Sequence, residues 1–597
     1  MKTIQSTFVL GLFLICSSVR AAEKPNILII FTDDQGYADL ACYGNQKNRT
    51  PRIDQLAKEG TLFTSFYAQT VCGPSRSALL TGRYPIRSKG WSMPASEITF
   101  AELIRKAGYQ TACIGKWDVS NRKPIVERMP NAQGFDYYFG TLGANDGGGV
   151  TFHENNEKAG STRDMGSLTT LYTNKAISFL KEKLDPDKPF VLYVAHTMMH
   201  TIIDASDRFK GKSKGGLYGD VVEEFDYETG RLLDKLDELG LSDNTLVLYT
   251  SDNGPWNQPK YYERKKGHPP GSIFWGESGP LRNGKGSPYE GGYRAACIAR
   301  WPGKIPAGKV SDSIWATIDF LPTFANLAGF KVPCDRVIHG MDQTDMLLGK
   351  TDKGRDSFYY ENAGIRMGKW KYLQPKAKFY SYAREDDRKE VDELYDLDVD
   401  IGERNNLAKK HPEIVNKLKA ELEKHKAQKS KIAPNLSSSS ISLPSNPLKG
   451  KIPLKAGDQF AFERSPIVAG KDLSISAILT SKKPDGCIVA QGGSLVGYSL
   501  YLRDGKVIFG VRVNSKLQEL VADPIVTGKK VSISARLTKA GHRSLTVNGK
   551  TLEAKGPPLH PQPKMGLSAG HDQSINIGSY KDEKFEGKIE ELVLEVK

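Results

Sequence analysis

Short apolar runs alternate with amphipathic stretches from residue 25 to about residue 408. Three of these runs, residues 27–31, 190–194 and 245–249, are rich in the residues that favour strands. Helical periodicity lies between them, and this alternation is typical of a mixed or parallel sheet covered by helices. The pattern predicts an α/β domain over residues 22–357.

Polar side chains directly follow each of the three runs. Asp33 and Asp34 come after the first run, His196 after the second, and Asp252 and Asn253 after the third. Ligands of open α/β sheets bind outside the carboxyl ends of the strands. We therefore expect these three ends to converge on one site.

The pattern changes after residue 357. Shorter strand-like runs precede an amphipathic helix that carries Ile414, Leu418 and Leu422 on one face. This combination predicts a small α+β subdomain over residues 358–425 that completes the first domain.

The last part of the chain is predicted to be all-β. Residues 426–458 are rich in Lys, Ser and Pro, as linkers are. Apolar and polar residues then alternate with a period of two over residues 459–597, which is the strand period. An Asp-Gly pair at residue 504 and an Asn-Gly pair at residue 548 are strong signals for tight hairpins. A β-sandwich is therefore expected here.

The amino terminus has the pattern of a secretory signal over residues 1–21: Lys2, an apolar run at residues 8–15, and a small-residue cleavage site ending at Ala21. An uncleaved membrane anchor is the alternative, but the run is shorter than the ~20 residues that span a bilayer. We expect export to the periplasm or beyond, without stable membrane insertion after cleavage.

Composition narrows the classes of partner. With 39% hydrophobic and 26% charged residues, the chain is neither disordered nor embedded in a membrane. A formal net charge of +15 attracts polyanions, among which both sulfated polysaccharides and nucleic acids qualify. No nucleic-acid-binding motif is present, so we expect no nucleic-acid partner. The seven cysteines show neither paired spacing nor a metal-type repeat.

Residues 72–83, Cys-Gly-Pro-Ser-Arg-Ser-Ala-Leu-Leu-Thr-Gly-Arg, form the most specific motif. Pro74 suits the first position of a helix and Gly82 suits its end, which places Cys72 just before a helix amino terminus. Such a position is electropositive and binds anions. A lone cysteine is more often a buried structural residue, which is the alternative for Cys72.

The Cys-x-Pro-Ser-Arg sequence followed by Leu-Thr-Gly-Arg resembles the signature of type I sulfatases, whose cysteine is oxidised to formylglycine. The resemblance covers residues 25–408 and implies an alkaline-phosphatase-like fold. Further matching segments occur in order along the chain: residues 26–34, Gly115-Lys116-Trp117, Ser251-Asp252-Asn253-Gly254, Gly284-Lys285-Gly286, and residues 393–397 with Asn406-Leu407.

The resemblance implies a metal site made of Asp33, Asp34, Asp252 and Asn253, completed by the oxygen of the modified Cys72. All of these are hard oxygen ligands, which suit Ca²⁺; Mg²⁺ is the smaller and geometrically stricter alternative.

The resemblance also implies the catalytic roles. Hydrated formylglycine at Cys72 attacks sulfur, and loss of the proton of its second hydroxyl then expels sulfate and restores the aldehyde. Arg76, Lys116 and Lys285 stabilise the developing negative charge. His200 is the donor of a proton to the leaving alcohol. A formylglycine-generating maturation enzyme is an expected partner.

The roles of Asp118 and His196 stay open. Many relatives have a histidine where this chain has Asp118, and a carboxylate there repels sulfate unless a cation pairs with it. Asp118 is therefore expected to recognise a sugar hydroxyl or an amino group. His196 either contacts the substrate or caps its strand. Specificity is assigned to loops such as residues 145–157 and 261–275.

Together these patterns predict a sulfatase that acts on a sulfated carbohydrate. Residues 497–502 and 585–590 resemble a concanavalin-like or laminin-G-like jelly roll, which either binds polysaccharide or supports the catalytic domain. One alternative is a phosphatase or phosphodiesterase of the same superfamily, which normally has Thr or Ser as its nucleophile. The other is a glycan-binding protein with a degenerate enzyme domain.

Overall fold

A computed structural model describes residues 24–257, 273–333, 336–361, 363–380, 383, 390–427, 444, 446–493, 496–513, 516–559, 562–563, 565–572, 577–580 and 584–597. The predicted signal peptide at residues 1–21, most of the predicted linker and most of the loop at residues 261–275 lie outside these ranges. Within them, no helix is both long and apolar enough to cross a membrane.

Eleven of the described strands form one mixed sheet in the order β10-β2-β9-β8-β1-β7-β3-β4-β5-β6, with β11 paired to β2. β8, β1, β7 and β3 lie side by side and run parallel. The strands are β1 (Asn26–Thr32), β2 (Thr61–Tyr67), β3 (Gln110–Lys116), β4 (Tyr137–Thr141), β5 (Val150–Glu154), β6 (Glu157–Thr162), β7 (Phe190–Ala195), β8 (Thr245–Ser251), β9 (Arg294–Arg300), β10 (Lys309–Ser311) and β11 (Trp315–Ala316).

Helices cover both faces of this sheet, as expected for central parallel strands that are apolar on both sides. On β1, Ile27, Ile29 and Phe31 face one core, whereas Leu28 and Ile30 face the other. α2, α4 and α8 pack on the first face, and α1, α5 and α6 pack on the second. The helices are α1 (Pro51–Glu59), α2 (Cys72–Thr81), α3 (Pro85–Ser88), α4 (Phe100–Lys106), α5 (Leu168–Ser178), α6 (Gly216–Glu238), α7 (Glu290–Tyr293), α8 (Phe320–Leu327), α9 (Thr344–Leu347) and α10 (Pro412–Ala427).

A small antiparallel sheet follows, in the order β12-β13-β14-β15, and α10 packs against it. Its strands are β12 (Ser357–Tyr360), β13 (Gly364–Met367), β14 (Trp370–Leu373) and β15 (Glu393–Asp396). Leu418 and Leu422 of α10 are buried against Ile365 and Tyr372. The predicted strands and amphipathic helix of this part are therefore present.

A buried ion-pair network joins the small sheet to the large one. Lys371 of β14 lies 3.0 Å from Glu290 of α7 and 2.7 Å from Glu403, and all three side chains are fully buried. Arg294 of β9 also contacts Glu290, at 3.3 Å. Removing one partner of such a network leaves a buried charge unpaired, so these contacts fix the two sheets together.

The described residues of the carboxyl-terminal part form two six-stranded antiparallel sheets, in the orders β16-β27-β18-β23-β24-β25 and β17-β26-β19-β20-β21-β22. Both contribute to one apolar core, for example through Ile475 and Leu594 from the first sheet and Leu500 and Phe509 from the second. The strands are β16 (Gly450–Pro453), β17 (Gln459–Phe460), β18 (Leu473–Ser481), β19 (Gly486–Gly492), β20 (Gly497–Arg503), β21 (Lys506–Val513), β22 (Lys516–Pro524), β23 (Lys530–Leu537), β24 (His542–Val547), β25 (Lys550–Lys555), β26 (Leu567–Ala569) and β27 (Gly587–Val596).

The two predicted hairpins of this part are present. Asp504 and Gly505 join β20 to β21 with φ angles of 51° and 73°, and Asn548 and Gly549 join β24 to β25 with φ angles of 48° and 85°. Two successive positive φ angles are the mark of the type I′ turn. One boundary differs from the prediction, because β16 pairs with β27 and so places Gly450–Pro453 inside the sandwich rather than in the linker.

Candidate active site

The carboxyl ends of four adjacent parallel strands meet at one edge of the large sheet. Asp33 follows β1, Asp252 follows β8, and Lys116 is the last residue of β3. The Asp33 Oδ2 atom lies 2.6 Å from the Lys116 Nζ atom. Asp252 Oδ1 accepts a hydrogen bond of 3.2 Å from the backbone N–H of Asp34. The expected convergence is therefore present for these strands.

His196 follows β7 at the same edge, but its ring points away from this cluster. The alternation of β7 continues past its end, so that position 196 faces the same core as Leu192 and Val194. The ring packs edge-on against Phe225, at 4.5 Å between centroids, and against Tyr172, at 5.7 Å. The sequence left two roles open for His196, contact with the substrate and capping of its strand. These contacts favour a structural role over contact with the substrate.

Cys72 is the first residue of α2, so the helix begins slightly earlier than the position of Pro74 predicted, and Gly82 ends it as expected. Its Sγ atom lies 3.2 Å from Asp33 Oδ1 and 3.2 Å from Lys285 Nζ. Gly82 ends the helix in the left-handed conformation, with φ of 66°. The helix amino terminus therefore delivers Cys72 into the group of carboxylates and lysines.

Gly73 allows the chain to pass the indole ring of Trp91. A Cβ atom at position 73 lies only 2.3 Å from that ring, which is closer than atoms can approach. Trp91 therefore covers the start of α2 next to Cys72. The sequence motif contained this glycine without revealing what it contacts.

Asp34 is held in the left-handed region, with φ of 60°. Its Oδ1 atom accepts hydrogen bonds from Lys285 Nζ at 2.5 Å and from Asn253 Nδ2 at 2.7 Å. Its Oδ2 atom is buried and has no hydrogen-bond partner among the described residues, and the same holds for Oδ1 of Asn253. Two buried oxygen atoms are thus left for a ligand, since buried polar atoms are normally paired.

Asp33 and Asp252 are both fully buried in this cluster, and their pKa values move in opposite directions. Burial raises the pKa of Asp33, but Lys116, His200 and Arg76 outweigh it and hold that pKa well below its usual value. Burial and the charge of Asp33 raise the pKa of Asp252. Like charges this close resist joint ionisation unless a cation lies between them.

These residues fit a hard cation. The ligand atoms of Asp33, Asp34, Cys72 and His200 lie within 4.8 Å of one another. Asp34 Oδ2 and Asn253 Oδ1 supply unpaired carboxylate and amide oxygen atoms, which are the donors that Ca²⁺ prefers. The unpaired oxygen atoms come from the predicted ligand set.

Two of the predicted cations, Arg76 and Lys285, occupy different places. Arg76 is fully buried behind the carboxylates, where Nη2 lies 2.9 Å from Asp252 Oδ2 and Nη1 donates to the Lys116 carbonyl at 3.0 Å. Lys285 lies beside Cys72 and over the ring of Trp256, at 4.8 Å from the ring centroid. Arg76 therefore acts on the carboxylates, and Lys285 lies beside the sulfur atom.

His200 faces the same pocket, so the choice of His200 over His196 agrees with the geometry. Its Nδ1 atom lies 2.6 Å from the carbonyl oxygen of Thr201, which only accepts, so Nδ1 carries a proton. Its Nε2 atom lies 3.7 Å from Asp34 Oδ2 and 3.5 Å from Asp146 Oδ1. Burial and the charge of Lys285 lower the pKa of His200.

Asp118 is fully buried, and cations pair with its charge. A carboxylate at this position repels sulfate unless a cation pairs with it, and this condition is met. Its Oδ1 atom accepts a hydrogen bond of 2.8 Å from Arg122 Nε, and its Oδ2 atom accepts one of 3.2 Å from Trp91 Nε1. Lys116 Nζ lies 3.7 Å from the same Oδ2 atom. Asp118 thus joins the site to residues in neighbouring loops.

Sequence reasoning missed four side chains that line this region: Trp91, Arg122, Asp146 and Trp256. Asp146 lies in the loop at residues 145–157, which was singled out for specificity without naming this residue. The others come from loops whose composition carries no signal of a site.

Two family models match the chain. Residues 25–330 match the model described as Sulfatase, and residues 284–428 match the one described as N-sulphoglucosamine sulphohydrolase, C-terminal. The N-acetylgalactosamine-6-sulfatase of Canis lupus familiaris is 35% identical over 388 residues, which are 59% of this chain and 72% of the relative. The N-acetylgalactosamine-6-O-sulfatase of Bacteroides thetaiotaomicron is 33% identical over 490 residues, which are 68% of this chain and 94% of the relative.

Solved structures agree with these matches. A Bacteroides thetaiotaomicron protein from work on the metabolism of multiple glycosaminoglycans has 30% identity and a TM-score of 0.59, and the match covers 68% of this chain and 100% of that chain. A sulfatase from Pseudoalteromonas sp. has 26% identity and a TM-score of 0.59, with 68% and 90% covered.

The fold and the site define an enzyme that acts on an anionic ester, because a helix amino terminus, lysines and carboxylates with unpaired oxygen atoms surround one reactive position. The chain belongs to the sulfatase family, with the alkaline-phosphatase-like α/β fold that the sequence predicted. It is a sulfuric ester hydrolase.

Proposed function

We propose that this protein removes sulfate from a sulfated carbohydrate and uses formylglycine, made from Cys72, as the source of its nucleophile. The placement of Cys72 carries the proposal. Burial and the charges of Asp252 and Asp33 raise the pKa of the Cys72 thiol well above its usual value, so the thiol stays neutral. A neutral thiol is a poor nucleophile, which favours a converted residue at this position.

Asp33, Asp34, Asp252 and Asn253 would hold a Ca²⁺ ion, since their oxygen atoms are hard ligands and two of them are buried and unpaired. When bound, the ion supplies positive charge that acidifies a nearby hydroxyl group. Mg²⁺ fits less well because it demands a small octahedral shell.

The remaining charges of the site serve the transferred group. Lys285 Nζ is 3.2 Å from the sulfur atom of Cys72 and stabilises negative charge that develops there. Lys116 also brings positive charge close to Cys72, and it keeps Asp33 ionised, at 2.6 Å. Arg76 neutralises Asp252 from behind.

His200 provides the proton for the leaving alcohol. The Thr201 carbonyl fixes one proton on Nδ1, so Nε2 is the atom that faces the pocket. In the charged imidazolium form, Nε2 gives its proton to the ester oxygen as the bond from that oxygen to sulfur breaks. The carboxylate of Asp146, whose Oδ1 atom lies 3.5 Å from Nε2, stabilises this charged form against burial and the charge of Lys285, which lower the pKa of His200.

The relatives suggest the substrate class. Two of them, at 35% and 33% identity, are named as sulfatases of N-acetylgalactosamine 6-sulfate groups. We propose that this chain acts on a sulfate ester of an amino sugar in a polysaccharide, with N-acetylgalactosamine 6-sulfate as the first compound to test.

Export and maturation belong to the same proposal. Residues 1–21 act as a secretory signal, and the mature enzyme works in the periplasm or outside the cell. Cys72 is only 3% exposed in the folded chain. A maturation enzyme must therefore oxidise Cys72 before the catalytic domain folds around it.

Sulfate release, measured by ion chromatography, tests the proposal. The enzyme is co-expressed with a formylglycine-generating enzyme and incubated with N-acetylgalactosamine 6-sulfate, glycosaminoglycans and algal polysaccharides. We expect release by the wild type, none by Cys72→Ala, and unchanged release by Cys42→Ser, a matched change at a half-buried cysteine outside the site. Equal release by Cys72→Ala and the wild type contradicts the proposal.

A further inference from the structure

One arginine links the loops around the active site. Arg122 Nε donates to Asp118 Oδ1 at 2.8 Å, and Arg122 Nη1 donates to Asp146 Oδ2 at 2.6 Å. Asp146 Oδ1 in turn lies 3.5 Å from Nε2 of His200, and Asp118 Oδ2 lies 3.7 Å from Nζ of Lys116. Arg122 is therefore one residue removed from two groups that act on the reacting ester.

The position of this guanidinium is tightly held. Asp118 and Arg122 both have φ of 55°, and Asn121 between them has φ of 57°, so three non-glycine residues adopt the left-handed conformation within five positions. Such residues persist only where their surroundings impose them. The Asp118 side chain is fully buried, so its carboxylate is a rigid anchor for Arg122.

Arg122 retains hydrogen-bonding capacity toward solvent. A guanidinium has five N–H donors, and the contacts with Asp118 and Asp146 use two of them. Nη2 has no hydrogen-bond partner among the residues that the structure describes, and the side chain is 43% exposed. The Asp146 side chain is 39% exposed. The N–H donors of Arg122 and the carboxylate oxygen atoms of Asp146 therefore lie side by side where both side chains are exposed to solvent.

The charge balance decides what this pair recognises. One guanidinium faces two carboxylates, so Arg122 brings no surplus positive charge with which to attract a second anion. Neutral groups that both donate and accept hydrogen bonds fit better, because Nη2 can donate to them and Asp146 can accept from them. Hydroxyl and acetamido groups on a sugar ring have this property.

We propose that Arg122 and Asp146 form a specificity subsite for uncharged hydroxyl or acetamido groups on the sugar that carries the scissile sulfate, with Asp118 as the residue that positions Arg122. This inference rests on the proposed sulfatase activity and extends it to substrate choice. The carboxylate at position 118 is then not a damaged sulfate-binding residue. It supports the sugar subsite instead.

The test compares two substrates that share the sulfate ester and differ in the sugar. kcat/KM is measured for the preferred monosulfated sugar of the panel and for 4-methylumbelliferyl sulfate, which has no sugar hydroxyls. A lost hydrogen bond from a charged donor costs about 10- to 100-fold in kcat/KM. We therefore expect Arg122→Ala to lower the ratio of sugar to aryl kcat/KM by at least about tenfold.

Two further variants sharpen the result. Arg122→Lys keeps the charge but lacks the planar fork that binds both carboxylates, so we expect it to lower the ratio as Arg122→Ala does. Arg404→Ala changes an exposed arginine outside the subsite and should leave the ratio unchanged. Restoration of the ratio by Arg122→Lys would mean that charge alone matters and would overturn the subsite.

Each of the remaining outcomes also refutes either the subsite or the proposed function. An equal loss on both substrates in Arg122→Ala means a structural role and refutes the subsite, as does a wild type that hydrolyses the aryl sulfate and none of the sugars. A loss that is larger for a disulfated than for a monosulfated sugar contradicts recognition of neutral groups. A wild type that contains formylglycine and hydrolyses neither class refutes the proposed function itself.

Discussion

Two buried histidines predict a specific loss of stability in mild acid. His339 and His425 lie with their ring centroids 5.6 Å apart, and both pack against the ring of Tyr84. Burial and the charge of Arg87 lower the pKa of His339 to about 2 and that of His425 to about 3. The charge of Arg355 acts on both rings in the same direction, so both histidines are neutral in the folded protein between pH 5 and pH 8.

The sign and size of the effect follow from proton linkage. An unfolded histidine has a pKa of about 6.5, so below that pH the unfolded chain binds protons that the folded protein cannot bind. The free energy of unfolding is therefore highest above pH 6.5 and falls as the pH decreases. At pH 5 each histidine costs about 2 kcal/mol relative to pH 8, and the pair costs about 4 kcal/mol.

His425→Phe isolates one half of this effect. The ring of His425 stacks on Tyr359, with centroids 3.8 Å apart, and phenylalanine preserves that contact. Urea unfolding is followed by tryptophan fluorescence, which reports on the catalytic part because all seven tryptophans lie at or before position 370. We expect the difference in unfolding free energy between pH 8 and pH 5 to shrink by about 2 kcal/mol.

The control is His542→Gln, at an exposed residue of β24 in the sandwich, which should leave the pH difference of the fluorescence transition unchanged. If His425→Phe also leaves that difference unchanged, the histidine is not held neutral and the reasoning fails.

Three further changes have defined outcomes. Lys371→Met leaves Glu290 and Glu403 buried without their shared cation, so urea unfolding should show a loss of about 3–5 kcal/mol, and a loss below 1 kcal/mol contradicts the network. Ca²⁺ should raise the melting temperature of the wild type in differential scanning fluorimetry but not that of Asp34→Asn, and an equal rise in both argues against this metal site. Gly549→Ala has open space for its methyl group but keeps φ at 85°, so calorimetry of the sandwich transition should show a cost of about 1 kcal/mol, whereas no change excludes strain at this turn.

The sequence predicted the parts of the site that local patterns determine. The alternation of β1 places Ile29, Phe31 and then Asp33 on the face that α2 covers, so that Asp33 meets Cys72. The end of β8 places Asp252 Oδ1 within hydrogen-bond distance of the backbone N–H of Asp34. Strand period, helix caps and a parallel sheet edge are enough to assemble these residues.

The parts that the sequence missed depend on contacts between loops. Trp91, Arg122 and Asp146 come from three separate loops and meet through hydrogen bonds with Asp118 and with one another. Composition cannot show which loop side chains approach one another, because that depends on the packing of the elements beneath them. His196 is different, because the sequence left its role open and only the packing of its ring against Tyr172 and Phe225 shows that it faces the core.

The proposed function depends on the aldehyde form of residue 72. Its most direct test is to prepare the enzyme with graded amounts of the maturation enzyme and to measure both the fraction of Cys72 converted to formylglycine, by peptide mass spectrometry, and the rate of sulfate release. We predict that the rate is proportional to the converted fraction and extrapolates to zero when none is converted. A rate that does not change with the converted fraction would contradict the account.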